Sequence, residues 1–264
     1  MAAIRDVYDV LDAFAPFSTQ MDFDNAGFLV GRGEREVAKI LLSLDITLPV
    51  VEEAKRLGAG LVVSHHPVLF HPAKTVCSGD PTGEILLALI ENGIGAICAH
   101  TNLDVAVGGV NDALAQALGL QNIQILLPDG TDAQGRPYGL GRVGELQHPV
   151  SLPAFAEQVK AALNAGGVRC VDGGRPVSKV AVGGGACGGC LQDAWRQGCD
   201  VLVTSDVKYD VFLEAKARGI SLIDAGHYPT ENVVLPKLKE VLEAAFPELE
   251  ILTSAVHKEV FFTL

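Results

Sequence analysis

The chain has 264 residues, 48% of them hydrophobic, which is enough to bury a substantial core and to form two domains of ordinary size. Its formal net charge of -12 argues against a broad nucleic-acid-binding face, because such faces work largely by neutralising phosphates. The sequence contains neither an apolar run long enough to span a membrane nor the charged-then-apolar pattern of a signal peptide. The composition therefore predicts a soluble, cytoplasmic protein whose six cysteines are reduced.

The first predicted element is an amphipathic helix, in which apolar residues recur at helical spacing: Ile4, Val7, Leu11 and Phe14. The elements that follow form an internal repeat. Residues 37–66 align without a gap with residues 177–206, and each copy has the pattern strand, loop, helix, glycine, strand. Gly58 and Gly198 stand where the helices are expected to end, because glycine tolerates the left-handed cap conformation.

Each copy continues with a second helix, a second glycine and a third strand. Residues 84–99 supply these elements in the first copy, and residues 212–225 supply them in the second. Strands that alternate with helices predict an α/β fold with largely buried sheets.

We therefore expect two related α/β lobes that arose by internal duplication. The polar, glycine-rich stretch 129–141 is the predicted connector. The expected bounds are 1–128 with 226–264 for the first lobe and 129–225 for the second.

Histidines and carboxylates follow the strands of both copies. They are His65 and His66 after the second strand of the first copy, His100 and Asp104 after its third strand, and His227 and Glu231 after the third strand of the second copy. In α/β sheets, ligands bind beyond the carboxyl ends of the strands. Imidazoles combined with carboxylates suit zinc, manganese, iron or cobalt, and one carboxylate is able to span two ions. The pattern predicts a pair of divalent metal ions in each subunit.

Several motifs give the chain a family resemblance. The stretches SHHP at 64–67, AHTNLD at 99–104 and AGHYPTE at 225–231 resemble the NIF-three-like family, whose members are often labelled GTP cyclohydrolase I type 2 homologs. The stretch DFDNAGFLVG at 22–31 is similar to a further family block, with Phe23 at its aromatic position. The resemblance covers nearly the whole chain.

The resemblance implies a specific ligand set: His66 and Asp104 for one ion, His65 and His227 for the other, and Glu231 as the bridge between them. It implies two α/β lobes with the dinuclear site in the cleft between them, and assembly as a homohexamer. His100 then becomes either a residue that supports the ligands from behind them or a catalytic proton carrier, rather than a ligand. One departure concerns Asp210, which stands where the family pattern has a histidine.

Other features leave alternatives open. The loop 183–189 is either an anion-binding cradle or a tight turn, and Cys187 and Cys190 form a CxxC pair with no second pair to complete a zinc site. Arg142 and Lys208 either supply positive charge to a phosphate or are solvated side chains.

The aromatic residues near the N-terminus are expected in the core rather than in a stacking platform: Phe17, Phe23 and Phe28. The final segment 260–264 is expected to form a buried strand or a subunit contact.

Two functional hypotheses follow. The first is a dinuclear divalent-metal-dependent hydrolase that acts on a nucleotide or on a small phosphorylated or cyclic-amide metabolite. The alternative is a non-catalytic metal-binding protein with a regulatory or metal-handling role. An open coordination position beside the ions would favour the enzyme, and a closed set of protein ligands would favour the alternative.

Overall fold

The computed structural model describes residues Met1–Leu264. Its strands are β1 Ala2–Ala3, β2 Gly27–Val30, β3 Glu36–Val37, β4 Lys39–Ser43, β5 Leu61–Ser64, β6 Gly95–Cys98, β7 Gln121–Thr131, β8 Pro137–Val150, β9 Arg169–Val171, β10 Val177–Val182, β11 Val201–Thr204, β12 Ser221–Asp224 and β13 Glu250–Thr253. Its α-helices are α1 Ile4–Phe14, α2 Leu48–Leu57, α3 Pro81–Glu91, α4 Thr101–Val105, α5 Val110–Ala117, α6 Leu152–Ala162, α7 Leu191–Arg196, α8 Tyr209–Arg218, α9 His227–Glu231 and α10 Leu235–Ala245. None of these helices combines the length and the apolar character needed to cross a membrane.

The chain divides into two compact units. The first unit comprises Met1–Leu103 and Leu235–Lys258, and the second comprises Asp104–Val234 and Glu259–Leu264. These bounds differ from those expected for the lobes, mainly because the predicted connector at 129–141 is part of a β-hairpin. There β7 and β8 pair antiparallel around it, and a polar, glycine-rich stretch suits a hairpin turn as well as a linker.

The first unit contains a five-stranded sheet in the order β13-β4-β5-β6-β2. All neighbouring strands in it are parallel except β2, which runs antiparallel to β6. Helix α2 has a proline in its first turn and ends at Gly58, whose φ of 71° is the predicted left-handed cap. The parallel strands β4, β5 and β6 therefore bring their carboxyl ends to one edge of the sheet.

The second unit contains a six-stranded sheet in the order β7-β8-β10-β11-β12-β9. Its central strands β10, β11 and β12 are parallel, and the strands that flank them are antiparallel. Gly219 ends α8 with a φ of 69°. The predicted alternation of strands and helices is thus present in both units, and the mixed α/β fold is confirmed.

The last residues of the chain form no strand. Val260 and Phe262 are 86% and 81% exposed, so the expectation of a buried strand at 260–264 is wrong. A role as a subunit contact stays a prediction.

Candidate metal centre

Three imidazoles lie together at the carboxyl ends of β5 and β6 in the first unit. Strand β5 ends at Ser64, so His65 and His66 lie in the bend that follows it, and His100 comes two residues after β6. One ring nitrogen from each of these histidines lies within 4.8 Å of the other two. Such a group is able to hold a metal ion.

Each imidazole of the first group makes a hydrogen bond through Nδ1. The acceptors are the Ala99 carbonyl for His65 at 2.8 Å, Asp45 Oδ1 for His66 at 2.7 Å, and Asp24 Oδ1 for His100 at 2.8 Å. An Nδ1–H that donates to an oxygen leaves the lone pair on Nε2, which is the form that a metal ligand needs. The surroundings therefore orient all three rings as ligands would be oriented.

The carboxylates of Asp24 and Asp45 orient two of these rings, those of His100 and His66. Asp24 also accepts hydrogen bonds from the backbone and the hydroxyl of Thr101, and Asp45 also bonds to His257. Burial alone would raise the pKa of both carboxyls, but the hydrogen bonds outweigh it and hold each pKa well below its ordinary value.

Sequence reasoning assigned no role to Asp24 or Asp45. Asp45 lies two residues beyond the end of β4, at the same sheet edge as the histidines. The expectation that ligands lie beyond the carboxyl ends of strands located His65, and it would have located Asp45 as well. Asp24 lies in the stretch 22–31 that is similar to a family block, but that resemblance did not indicate its contact with His100, which is 76 residues away.

The second unit holds a histidine and two carboxylates. His227 and Glu231 are the first and last residues of α9, which follows β12, and His227 Nε2 lies 3.0 Å from Glu231 Oε2. A carboxylate oxygen of Asp104 lies within 4.8 Å of one of Glu231. His227 bonds through Nδ1 to Asp206 Oδ2 at 2.5 Å, so it shares the pattern of the other three histidines.

The glycine-rich loop after β10 is a tight turn. Its backbone N–H groups are used within the protein: Gly184 donates to Asn111 Oδ1 at 2.9 Å, Gly185 to Thr230 Oγ1 at 3.1 Å, and Cys187 to Thr204 Oγ1 at 3.0 Å. An anion cradle would need these N–H groups as donors to the anion, but they are already bonded within the protein. The loop is therefore better described as a tight turn.

This turn approaches a candidate ligand closely. Gly185 has a φ of +63°, and a Cβ built on it would overlap the Glu231 carboxylate. Asn111 is buried and also donates to the Asp104 carbonyl at 2.9 Å, so it joins the Asp104 backbone to the turn. A residue without a side chain is therefore required next to Glu231.

Arg142 is not available to a phosphate, contrary to one sequence-based possibility. Its side chain is 1% exposed and lies 2.7 Å from the Asp112 carboxylate. The guanidinium also donates to backbone carbonyls of Ala106, Gly139 and Gly141. Arg142 thus joins β8 to the segment that follows Asp104. Lys208 is exposed, as expected for a solvated side chain.

Cys187 and Cys190 are free thiols that interact with each other. The hydrogen bond with Cys190 raises the pKa of Cys187, and burial and the nearby Asp104 and Glu231 carboxylates raise it further. Cys187 is therefore a neutral thiol near pH 7 in the metal-free protein.

The comparisons with known proteins agree with the fold and with the motifs. A model of the Duf34/NIF3 family, described as NGG1p interacting factor 3, matches residues 2–260. The chain is 33% identical over 260 residues to a Clostridium perfringens protein named GTP cyclohydrolase 1 type 2 homolog, and the match covers 98% of both proteins. A Streptomyces coelicolor protein with the same name is 37% identical over 235 residues, which cover 88% of this chain and 82% of that protein.

A solved structure has nearly the same fold. The crystal structure of a Staphylococcus aureus hypothetical protein matches with a TM-score of 0.94 and 33% identity, over 99% of each chain. The family model and the curated relatives both span almost the entire sequence. The chain therefore belongs to the Duf34/NIF3 family.

Proposed function

We propose that the protein is a dinuclear metal-dependent hydrolase in which the two donor groups act together as one centre. The proposed ligands are His66 and Asp104 for one divalent ion, His65 and His227 for the other, and Glu231 as the bridge. The observation that carries the proposal is that the imidazoles of both units are bonded through Nδ1 to an oxygen acceptor. This arrangement supports ligation through Nε2, and oxygen and nitrogen donors of this kind suit zinc, manganese, iron or cobalt.

Two bound ions would lower the pKa of a water molecule that they share and would polarise the bond that it attacks. The protein itself would supply the proton transfer. His100 is 16% exposed, and Asp24 holds its Nδ1, so its Nε2 is the atom able to take up or release a proton. Asp24 is then a positioning residue, since it fixes the tautomer and the ring orientation of His100.

The substrate is proposed to be a nucleotide or a small phosphorylated or cyclic-amide metabolite. The relatives from Clostridium perfringens and Streptomyces coelicolor are each named GTP cyclohydrolase 1 type 2 homolog, which makes GTP a compound to test. We also propose that the two units arose by duplication, because each contains three parallel strands joined by helices. In the sequence, a histidine and a carboxylate four residues apart follow the third of these strands in both cases. A homohexamer is proposed from the family resemblance alone.

Turnover assays test the hydrolase directly. The native protein, loaded with zinc, manganese, iron or cobalt, is incubated with GTP and with a panel of phosphoesters, beside Glu231→Gln and His100→Gln. We expect metal-dependent hydrolysis by the native protein, loss of it in Glu231→Gln, and a slower rate with a changed pH profile in His100→Gln. Asp210→Asn is the control, since Asp210 is exposed and lies outside the donor groups. Bound metal without turnover of any compound would favour the metal-handling alternative.

A further inference from the structure

Two exposed phenyl rings lie beside the imidazoles of the first unit. Phe23 is 64% exposed and Phe70 is 39% exposed, and their ring centroids are 6.3 Å apart with planes at 68°. We call this pair the aromatic corner. Phe17 is buried as expected, but the expectation that Phe23 belongs to the core is wrong, because its loop turns the ring outward.

The aromatic corner is attached to the candidate site. The Phe70 ring lies edge-on to the His100 imidazole, with centroids 5.9 Å apart and planes at 85°. His100 in turn lies within 4.8 Å of His65 and His66 through its ring nitrogen. One phenyl of the corner is therefore in direct contact with the proposed proton carrier.

The loop that carries Phe23 is anchored by the two residues that follow Phe23. Asp24 bonds to His100 and Thr101, and Asn25 Nδ2 donates to the Leu69 carbonyl, next to Phe70. These bonds restrain the loop, and the Phe23 ring is exposed on it beside Phe70, although exposure of a phenylalanine forgoes the stabilisation that burial would give. An exposed aromatic side chain held in this way is suited to a ligand rather than to the core.

We propose that the aromatic corner binds the planar aromatic heterocycle of the substrate, so that the substrate class is a nucleobase-containing small molecule. A planar ring stacked on one phenyl would meet the other nearly edge-on, and aromatic rings attract each other in both arrangements. Bases of any kind stack on phenylalanine, so the corner selects a flat ring without selecting a particular base. The inference rests on the proposed function, since it places the reacting end of that substrate near His100.

A pair of probes that differ only in the base tests the corner. Zinc-incubated native protein, Phe23→Leu, Phe70→Leu and the double variant are titrated by calorimetry with guanosine 5′-monophosphate and with ribose 5-phosphate. Leucine keeps an apolar side chain but removes the ring. Phe246→Leu is the matched control, because Phe246 is a half-buried phenylalanine beyond the end of α10 in the same unit.

We expect the native protein to bind the nucleotide at least about tenfold more tightly than ribose 5-phosphate. Each single substitution should reduce that ratio, the double variant should abolish it, and Phe246→Leu should leave it unchanged. An undiminished ratio in the double variant, or no preference in the native protein, would overturn the proposal.

Metal content, measured on the same samples, separates this inference from the proposed function. Native protein that prefers the nucleotide but holds no metal would refute the dinuclear centre and leave the aromatic corner supported. Native protein that holds metal but shows no preference would refute the corner alone. Phe23→Leu is the decisive single variant, because the ring that lies edge-on to His100 is that of Phe70, so substitution of Phe23 should leave the metal content at the native level.

Discussion

The two units support the side chains of their candidate sites by partly different means. In the first unit, His66 and His100 are each bonded to a carboxylate from a loop elsewhere in that unit, Asp45 and Asp24. These are charge-assisted hydrogen bonds between side chains, and each involves a partly exposed imidazole. Their loss should therefore change how the ligands are oriented more than it changes the stability of the fold.

In the second unit His227 is likewise bonded to a carboxylate, that of Asp206, but buried backbone supports the candidate carboxylate ligands. Asn111 joins the Asp104 backbone to the turn at Gly184, and the next glycine lies against the Glu231 carboxylate. These residues are closely packed, so a substitution among them should lower both the free energy of unfolding and the metal affinity. The comparison teaches that carboxylates orient imidazoles at the strand ends of both units, and that only the second unit adds a close-packed glycine turn against a candidate ligand.

The largest expected effect is on the stability of the second unit, in Arg142→Met. The substitution removes a buried guanidinium and leaves the Asp112 carboxylate and three carbonyls without their donor, at a cost of about 3–5 kcal/mol. Urea unfolding of the metal-free protein measures this. The matched control is Arg196→Met, whose exposed pair with Asp193 should contribute at most about 1 kcal/mol. Equal losses in both variants would contradict the account of Arg142.

Gly185→Ala tests the close approach to Glu231. We expect a loss of stability of about 1–3 kcal/mol from the left-handed backbone, together with metal binding at least about tenfold weaker because the carboxylate is displaced. Gly198→Ala is the control, because Gly198 has a φ of +72° but no atom near its added Cβ. Gly198→Ala should lose stability because of its left-handed backbone but should keep the native metal affinity. Normal affinity in both variants would show that Gly185 does not position Glu231.

In the first unit, Asp45→Asn should weaken metal binding with little loss of stability. Asp45 orients His66, and loss of such a support typically costs about tenfold to a hundredfold in metal affinity. Competition with a coloured chelator gives the affinity, and urea unfolding gives the stability. Asp9→Asn, an exposed position on α1, serves as the control. A stability loss as large as that of Arg142→Met would break the contrast between the units.

The smallest expected effect is a pH-dependent one, in Asp24→Asn. Hydrogen bonds hold the pKa of Asp24 below its ordinary value of about 3.9, so its contribution to stability is present above that pH and is lost as the pH falls through the lower folded-state pKa. The free energy of unfolding of the metal-free native protein should exceed that of the variant by about 1 kcal/mol at pH 7. The difference should shrink below about pH 4. A difference that stays constant down to pH 3 would mean that the carboxylate charge is not responsible.

Local pattern was sufficient to predict the parallel strands of the repeat and to locate candidate donors at their ends. The runs at Lys39 and Lys179 are short, apolar and rich in β-branched residues, and both become buried parallel strands. Because parallel strands end at a common edge, the positions of His65 and His227 after their strands followed from the same pattern.

Long-range contacts could not be predicted in this way. The burial of Arg142 depends on Asp112, 30 residues away, and on carbonyls that only the folded chain brings near. The outward turn of Phe23 depends on anchoring bonds to His100 and Leu69, and a phenylalanine in isolation is typical of a core. The stretch 129–141 has a composition that suits both a linker and a hairpin, so composition alone could not distinguish between these two structures.

Elemental analysis of metal per chain is the most direct test of the central claim. The native protein and a His65→Ala/Glu231→Ala double variant are incubated with zinc, manganese or iron, freed of excess metal and analysed. The account predicts about two equivalents per chain in the native protein and a clear loss in the variant, with Asp210→Asn unchanged. The absence of bound metal from the native protein under every condition, or equal content in the double variant, would contradict it.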